Sequence, residues 1–391
     1  MSQSTTLPAP LPHPREGETL FGFWWRHHRR AVESTRKTFG VSRELLEVVF
    51  RDPLWRAANQ VCMRLDDVFF PTWRAKTVRE PVFIVGHPRS GTTMLQRCLT
   101  QADDFVEFQL WHLLFPSLIE RRLIGPLVRD RIRKGTDVLV PGEVGHSFVL
   151  GEVDEEELLF LFHAMTQFYP VLSGLAFSEE DFEEIVFCDA LPASLRRESM
   201  TWLDGCLRRQ MLFTGRDRVV AKMNYSAMRI RTLLEAYPDA RVVYLVRSPL
   251  DTIPSHLSLH RNVLAHRVDL GRLPPGVLER YLRRRYEHNV SFYRYVEDAL
   301  ASGDLPASRV TTVRYDDMMS DLEGVVARVG EFAHIDYSAE LLRKVAEQGE
   351  KQRRYVRRHE NQDLEAHGLT REQILRDLGF IFDRYGFDRG V

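Results

Sequence analysis

Cysteine is scarce. Cys62, Cys98, Cys188 and Cys206 are the only four in 391 residues, and no two stand in a CxxC pair. That spacing suggests neither a disulfide scaffold nor a thiolate zinc site, so the expectation is free thiols in a reducing compartment. Long apolar runs are missing as well. None approaches the roughly 18 residues that a membrane span needs. The N-terminus lacks the basic segment and apolar core of a secretory signal, and Ser2 stands where myristoylation needs glycine. The chain reads as cytoplasmic. An excess of one charge is also absent, with 54 Lys and Arg against 55 Asp and Glu. A duplex binder usually carries a basic face, so nucleic acid is not the expected partner. A local anion site is compatible with this balance. No internal repeat is present, and nothing in the sequence speaks to oligomeric state.

What is there is an ordinary globular composition, 44% hydrophobic and 28% charged. Residues 1–17, with LPAPLPHPREG, are rich in proline and polar groups and predict a disordered tail. Residues 18–79 read as a helical extension. Within it FGFWWRHHRR, Phe21 to Arg30, sets aromatics beside bases. Two readings stay open for this segment, a helix docking its aromatics on the main domain or a peripheral contact with a membrane surface.

From residue 80 onward the pattern changes. PVFIVG, RVVAKM from Arg218, ARVVYLVR from Ala240 and RVTTVRY from Arg309 are short runs rich in β-branched residues, as buried strands are. Helical patterns follow each of them. Strands alternating with helices predict an α/β domain over residues 80–391, P-loop-like and three-layered, with a central parallel sheet. Residues 103–215 read as a large helical insertion with loops, suited to lining an acceptor pocket. Its acidic run Asp154 to Glu157 precedes LLFLF and reads as a solvated helix start rather than a metal site.

The chemistry is concentrated in Gly86-His87-Pro88-Arg89-Ser90-Gly91-Thr92-Thr93. Two glycines bracket four residues between a strand and a helix, the outline of a loop whose N–H groups and helix terminus face an anion. The nucleotide-triphosphate version reads GxxxxGK[ST]. Here Thr92 takes the lysine position and the cation, Arg89, comes earlier. Without that lysine the loop is poorly equipped for a γ-phosphate. It suits a less charged transferring group held by an Arg fork, hydroxyls and amides, with no metal.

PRSGTT after an apolar strand resembles the 5′-phosphosulfate loop of sulfotransferases that use 3′-phosphoadenylyl sulfate (PAPS). The arginine form is similar to bacterial and tyrosylprotein sulfotransferases. The resemblance implies that Arg89, Ser90, Gly91, Thr92 and Thr93 hold the 5′-phosphosulfate. YLVRSPLDTIPSHLSL supplies a second match, in which Arg247 and Ser255 would bind the 3′-phosphate. Read alone, Arg247 is a surface ion-pair partner for Asp251 four residues on. Lys222 matches a basic position at a strand end and is a candidate contact to the donor phosphate or the sulfuryl group, a plain salt bridge being the other reading. Near the C-terminus RRHENQDLEAHGLTREQI resembles the family's tail, where Lys351, Arg353 and Arg354 are candidates for the 3′-phosphate. The resemblance covers about residues 80–385.

Transfer to a hydroxyl, or an amine, needs a base. Related bacterial enzymes commonly place an acid after a tryptophan and before Leu-Leu-x-Pro. This chain reads Trp111-His112-Leu113-Leu114-Phe115-Pro116. His112 is therefore the expected base, with Glu107, His146 and Glu152 as rivals. The implied activity is PAPS-dependent sulfuryl transfer to a small-molecule or lipid-like acceptor. The alternatives are a P-loop kinase or NTPase, and a PAPS-binding homologue without turnover.

Overall fold

The computed structural model describes residues 17–101, 105–140, 147–353 and 364–389, Arg353 by its backbone only. All four apolar runs form strands: β1 (Val82–Gly86), β5 (Arg218–Lys222), β6 (Arg241–Val246) and β7 (Val310–Arg314). A fifth, β2 (Phe105–Val106), lies where the sequence reads as helix and loop. Two residues are too few to show a period of two, so it left no signal. The sheet runs β2-β5-β1-β6-β7, every pair parallel.

Alternate residues of the central strands feed two cores. Phe83 and Val85 of β1, with Tyr244 of β6, face the larger core. Val82 and Ile84, with Val243 and Leu245, face the other. A strand buried on both faces has no polar side to show, which is why these runs read as continuous.

On the second face pack α4 (Thr92–Thr100), α14 (Leu322–Ala333) and α15 (Ala339–Arg353), through Leu95, Leu99, Val326 and Leu341. On the first lie α11 (Pro249–Arg267), α12 (Val277–Ala301) and α16 (Arg371–Tyr385). The short helix α10 (Ile230–Ala236) lies between β5 and β6, and α13 (Tyr315–Ser320) follows β7. Helices, sheet and helices make the three layers the sequence predicts.

The insertion carries α5 (Leu110–Leu114), α6 (Leu118–Arg133), α7 (Phe168–Leu172), α8 (Glu183–Val186) and α9 (Ala193–Thr214). It also carries an antiparallel hairpin, β3 (Val138–Val140) with β4 (Phe148–Val149), that the helical reading missed. Of the N-terminal helices α1 (Leu20–Phe39), α2 (Arg43–Leu46) and α3 (Asp52–Phe69), the first and third join the larger core through Phe23, Trp24 and Met63. Of the aromatic-basic segment, Phe23, Trp24, His27 and His28 are buried while Phe21 and Trp25 face outward. Most of the predicted tail, residues 1–16, lies outside the described residues.

Register decides where the site lies. Gly86 at the end of β1 pairs with Leu245 of β6, two residues before Arg247. The loops after β1 and β6 therefore leave the sheet side by side, at the carboxyl end of parallel strands, where α/β folds bind ligands.

Candidate active site

The loop after β1 is held open by two glycines. A Cβ at Gly86 would lie 2.5 Å from the Leu245 carbonyl oxygen, so only glycine allows β6 to pass this close. A Cβ at Gly91, at φ 96°, would lie 2.7 Å from the Tyr315 ring. Arg89 is held at φ 76°, left-handed backbone for a residue that has a Cβ. Such conformations cost about 1–3 kcal/mol and persist where the surroundings impose them.

Those surroundings include both halves of the expected anion site. The Arg89 Nε donates to Ser255 Oγ at 2.9 Å. The Arg247 Nη1 donates to the Arg89 carbonyl at 3.2 Å. Arg247 also stacks over Tyr315, 4.1 Å from the ring centroid, and pairs with Asp251 at 3.4 Å. The ion pair foreseen for Arg247 thus coexists with its place beside the loop. From the other side Lys222, buried at the end of β5, donates Nζ to Thr93 Oγ1 at 3.0 Å. Two arginines, a lysine and the N-terminus of α4 converge on one point.

They border a cavity of about 530 Å³, a size typical of ligand sites. One end is polar, lined by Arg89, Gly91, Thr92, Thr93, Lys222, Asn224, Arg247 and Ser255. The other is apolar, formed by Phe148, Phe168, Val171 and Leu172 from the insertion and by Leu259 and Val263 from α11. Ser90 is buried behind the loop, and its Oγ has no hydrogen-bond partner among protein atoms.

The sulfotransferase family model matches residues 81–339 of this chain. The chain belongs to the sulfotransferase family. Two relatives, the omega-hydroxy-beta-dihydromenaquinone-9 sulfotransferases Stf3 of Mycobacterium bovis and Mycobacterium tuberculosis, are each 26% identical over 388 residues. Those residues span 94% of this chain and 90% of each relative. Among solved structures, the sulfotransferase STF9 of Mycobacterium avium superposes with a TM-score of 0.68 at 18% identity, covering 95% of this chain and 97% of its own. The sulfotransferase STF1 of Mycobacterium tuberculosis gives 0.62 at 17%, covering 90% and 92%. At these identities the superpositions speak to the fold.

In this sulfotransferase His112 is not on the cavity wall. Its Nδ1 accepts the Gln109 backbone N–H at 3.1 Å and closes the first turn of α5. The Gln210 amide lies 3.2 Å from the same nitrogen, and the ring packs against Trp111 and Phe213. Burial, with the Arg121 guanidinium adding, pushes the imidazole down to about 2. His112 sits where the motif led, but it serves as a helix cap in an apolar wall. Glu107 reaches toward Arg216 and Glu152 toward Arg97, and neither lines the cavity. His146 lies outside the described residues. So does Arg354, and of Arg353 only the backbone at the end of α15 is described. The preceding Gln352 donates to the sulfur of Met94, which lines the cavity, so α15 ends close to it.

The carboxylate that does line the cavity is Glu155. It belongs to the acidic run read as a solvated helix start, and that reading is corrected here. Asp154 to Glu157 are all buried, and a short 3-10 helix begins at Glu156. Acids at this point secure the end of β5. Glu155 accepts from Asn224 Nδ2 at 2.6 Å, Glu156 from the Lys222 N–H at 2.7 Å, and Glu157 from Ser226 while facing Arg229. Among the described residues no cluster of three or more His, Cys, Asp or Glu is arranged to hold a metal. Four acids before an apolar run carried no mark that separates a surface helix from a buried brace.

Glu156 has a consequence for stability. Burial pushes its carboxyl up to about 8 from an ordinary 4.5. Between those values the folded chain keeps a proton that the unfolded chain has released, so stability falls as pH rises through the window. Glu156→Gln keeps an oxygen for the Lys222 N–H. It is expected to leave the melting temperature unchanged at pH 5 and to raise it by about 2 °C or more at pH 8. Thermal melts of both proteins across this range check the expectation. Equal melting temperatures at pH 8 would sink it.

Proposed function

We propose that the protein transfers the sulfuryl group of PAPS to a hydroxyl of a lipid-like acceptor, releasing adenosine 3′,5′-bisphosphate (PAP). The observation that carries this is the joining of two anion-binding segments, Arg89 and Ser255 166 residues apart, over one end of a cavity whose other end is apolar. The named substrate of the Stf3 relatives, a hydroxylated menaquinone derivative, supports an acceptor with a long apolar body and a hydroxyl at its end.

In this reading the 5′-phosphosulfate lies on the N–H groups of the loop and the first turn of α4, with Arg89, Thr92 and Thr93 around it. The buried Ser90 hydroxyl is available to complete that cradle. Arg247 and Ser255 take the 3′-phosphate. As the acceptor oxygen bonds to sulfur and the bond from sulfur to the 5′-phosphate oxygen breaks, negative charge moves onto PAP. Lys222 and Arg89 stabilise it there, in a partly dry site where fixed charges act strongly. Glu155, held by Asn224, takes the acceptor's proton. The apolar wall excludes water and so protects the donor from hydrolysis.

The test has two arms. PAPS and PAP are expected to bind in the low micromolar range or tighter, and adenosine 5′-phosphosulfate about a hundredfold more weakly, because two partners of the 3′-phosphate go unused. Equal binding would remove Arg247 and Ser255 from their role. Transfer of labelled sulfate from PAPS is expected to a terminal isoprenoid alcohol and not to a hydrophilic sugar. The reverse preference would overturn the acceptor class.

A further inference from the structure

The third N-terminal helix is packed inside out. A helix at a protein surface normally buries its apolar stripe and shows its polar face to water. The buried positions of α3 are Arg56, Asn59, Met63 and Asp66, spaced as one helical face. Hydrogen bonds hold this face to the body. Arg56 Nε donates to the Phe162 carbonyl at 2.8 Å. Asp66 accepts from Arg209 at 2.8 Å and from the Leu118 N–H at 3.0 Å, capping α6. The stripe left outside starts at Phe50, just before the helix, and continues through Leu54, Val61, Leu65, Val68 and Phe69. Val68 is 71% exposed and Phe69 66%. At 1.5 Å per residue the stripe runs about 30 Å, an unusual length of apolar surface to leave to solvent.

The neighbouring helix adds charge. α6 packs beside α3, with Leu123 and Leu127 exposed at 70% and 69%. From Arg122 to Lys134 it carries five cations against the single carboxylate Asp130. An apolar stripe flanked by an excess of Lys and Arg is what an anionic bilayer surface attracts, by burial and by charge together. A twofold pairing of two copies through this face would gather the cations of both α6 helices at one interface. Charge complementarity therefore selects a negatively charged partner.

The stripe also begins beside the cavity's apolar end. The Val171 carbonyl, on the cavity wall, accepts from Arg267 at 2.7 Å. Asp52 in the first turn of α3 acts electrostatically on that same arginine. Trp25, exposed on α1, lines a separate surface pocket with Val49 and Pro53 near the start of α3, and tryptophan is a residue favoured at the bilayer interface.

We propose that the outward faces of α3 and α6 form a docking surface for anionic lipid bilayers, from which the acceptor is taken. The inference rests on the lipid-like acceptor proposed above. Its test needs neither donor nor acceptor, so the two readings fail separately.

The experiment is co-sedimentation of the full chain with vesicles of phosphatidylcholine alone or with a third of phosphatidylglycerol. The expected result is at least about tenfold stronger binding to the anionic vesicles, weakened by salt. Leu65→Glu with Val68→Glu, and separately Arg129→Glu with Arg133→Glu, should each reduce it about tenfold. All four side chains are exposed, so the melting temperature and the PAP affinity should not change. No binding to anionic vesicles at low salt, or binding indifferent to both pairs, overturns the proposal. Self-association in sedimentation velocity that the Leu65 and Val68 pair abolishes would assign the face to a second copy instead.

Discussion

Glu155→Gln is expected to lower turnover by roughly 10²–10⁴-fold, the contribution of a positioned base, while PAP binds as before. The carboxylate lines the cavity beside Asn224, and Asn224 lies two residues beyond Lys222, whose ammonium touches the phosphate loop. The amide keeps the size and one accepting oxygen but cannot take a proton at neutral pH. His112→Ala is the control. It removes the cap on α5 and a buried ring, so stability should fall by about 1–3 kcal/mol. Turnover at a temperature well below the melt should stay near that of the parent. Steady-state kinetics, calorimetric PAP titration and a thermal melt of each variant separate these outcomes. If His112→Ala abolished turnover in a folded protein and Glu155→Gln did not, the base would be the histidine, reached through a rearranged cavity.

Arg89→Gly and Arg247→Ala are expected to fail in different ways. In the proposed reading Arg247 faces a phosphate that the reaction leaves unchanged, so its loss should weaken PAP and PAPS binding about 10–100-fold, the worth of a charged hydrogen bond. It should alter kcat little. In the same reading Arg89 faces charge that moves in the transition state, so its loss should lower kcat as well. Glycine is the informative replacement because Arg89 sits at φ 76°. Glycine takes that backbone without strain, so the melting temperature should hold or rise while activity falls. Equal effects of the two substitutions on kcat would erase this division of roles.

Much of the site was legible because it is local. PRSGTT lies within one turn of chain between a strand and a helix, and its glycines are required by contacts that follow from that arrangement. Arg247 and Ser255, which line the same cavity, were singled out by a second stretch that resembles the family. His112 shows where such reasoning stops. A motif placed it correctly along the chain, but whether a side chain points into a cavity or caps its own helix depends on neighbours. Gln109 and Gln210 supply those neighbours, and Gln210 comes from a helix about a hundred residues away.

By itself the sequence determined the elements and a loop suited to an anion: four strand runs, helices between them, and two glycines bracketing Arg89. These depend on short-range periodicity and backbone freedom. Tertiary structure alone decided what depends on register and packing. The pairing of Gly86 with Leu245 set Arg89 against Ser255. The packing of the insertion on β5 turned an acidic run from solvent to the interior and set Glu155 on the cavity wall. Residues 20–75 read only as helices, and nothing local says which face of a helix will meet the protein. In α3 the polar face was taken inward because Arg209 and the end of α6 needed Asp66, and a buried charge without partners costs more than an exposed leucine.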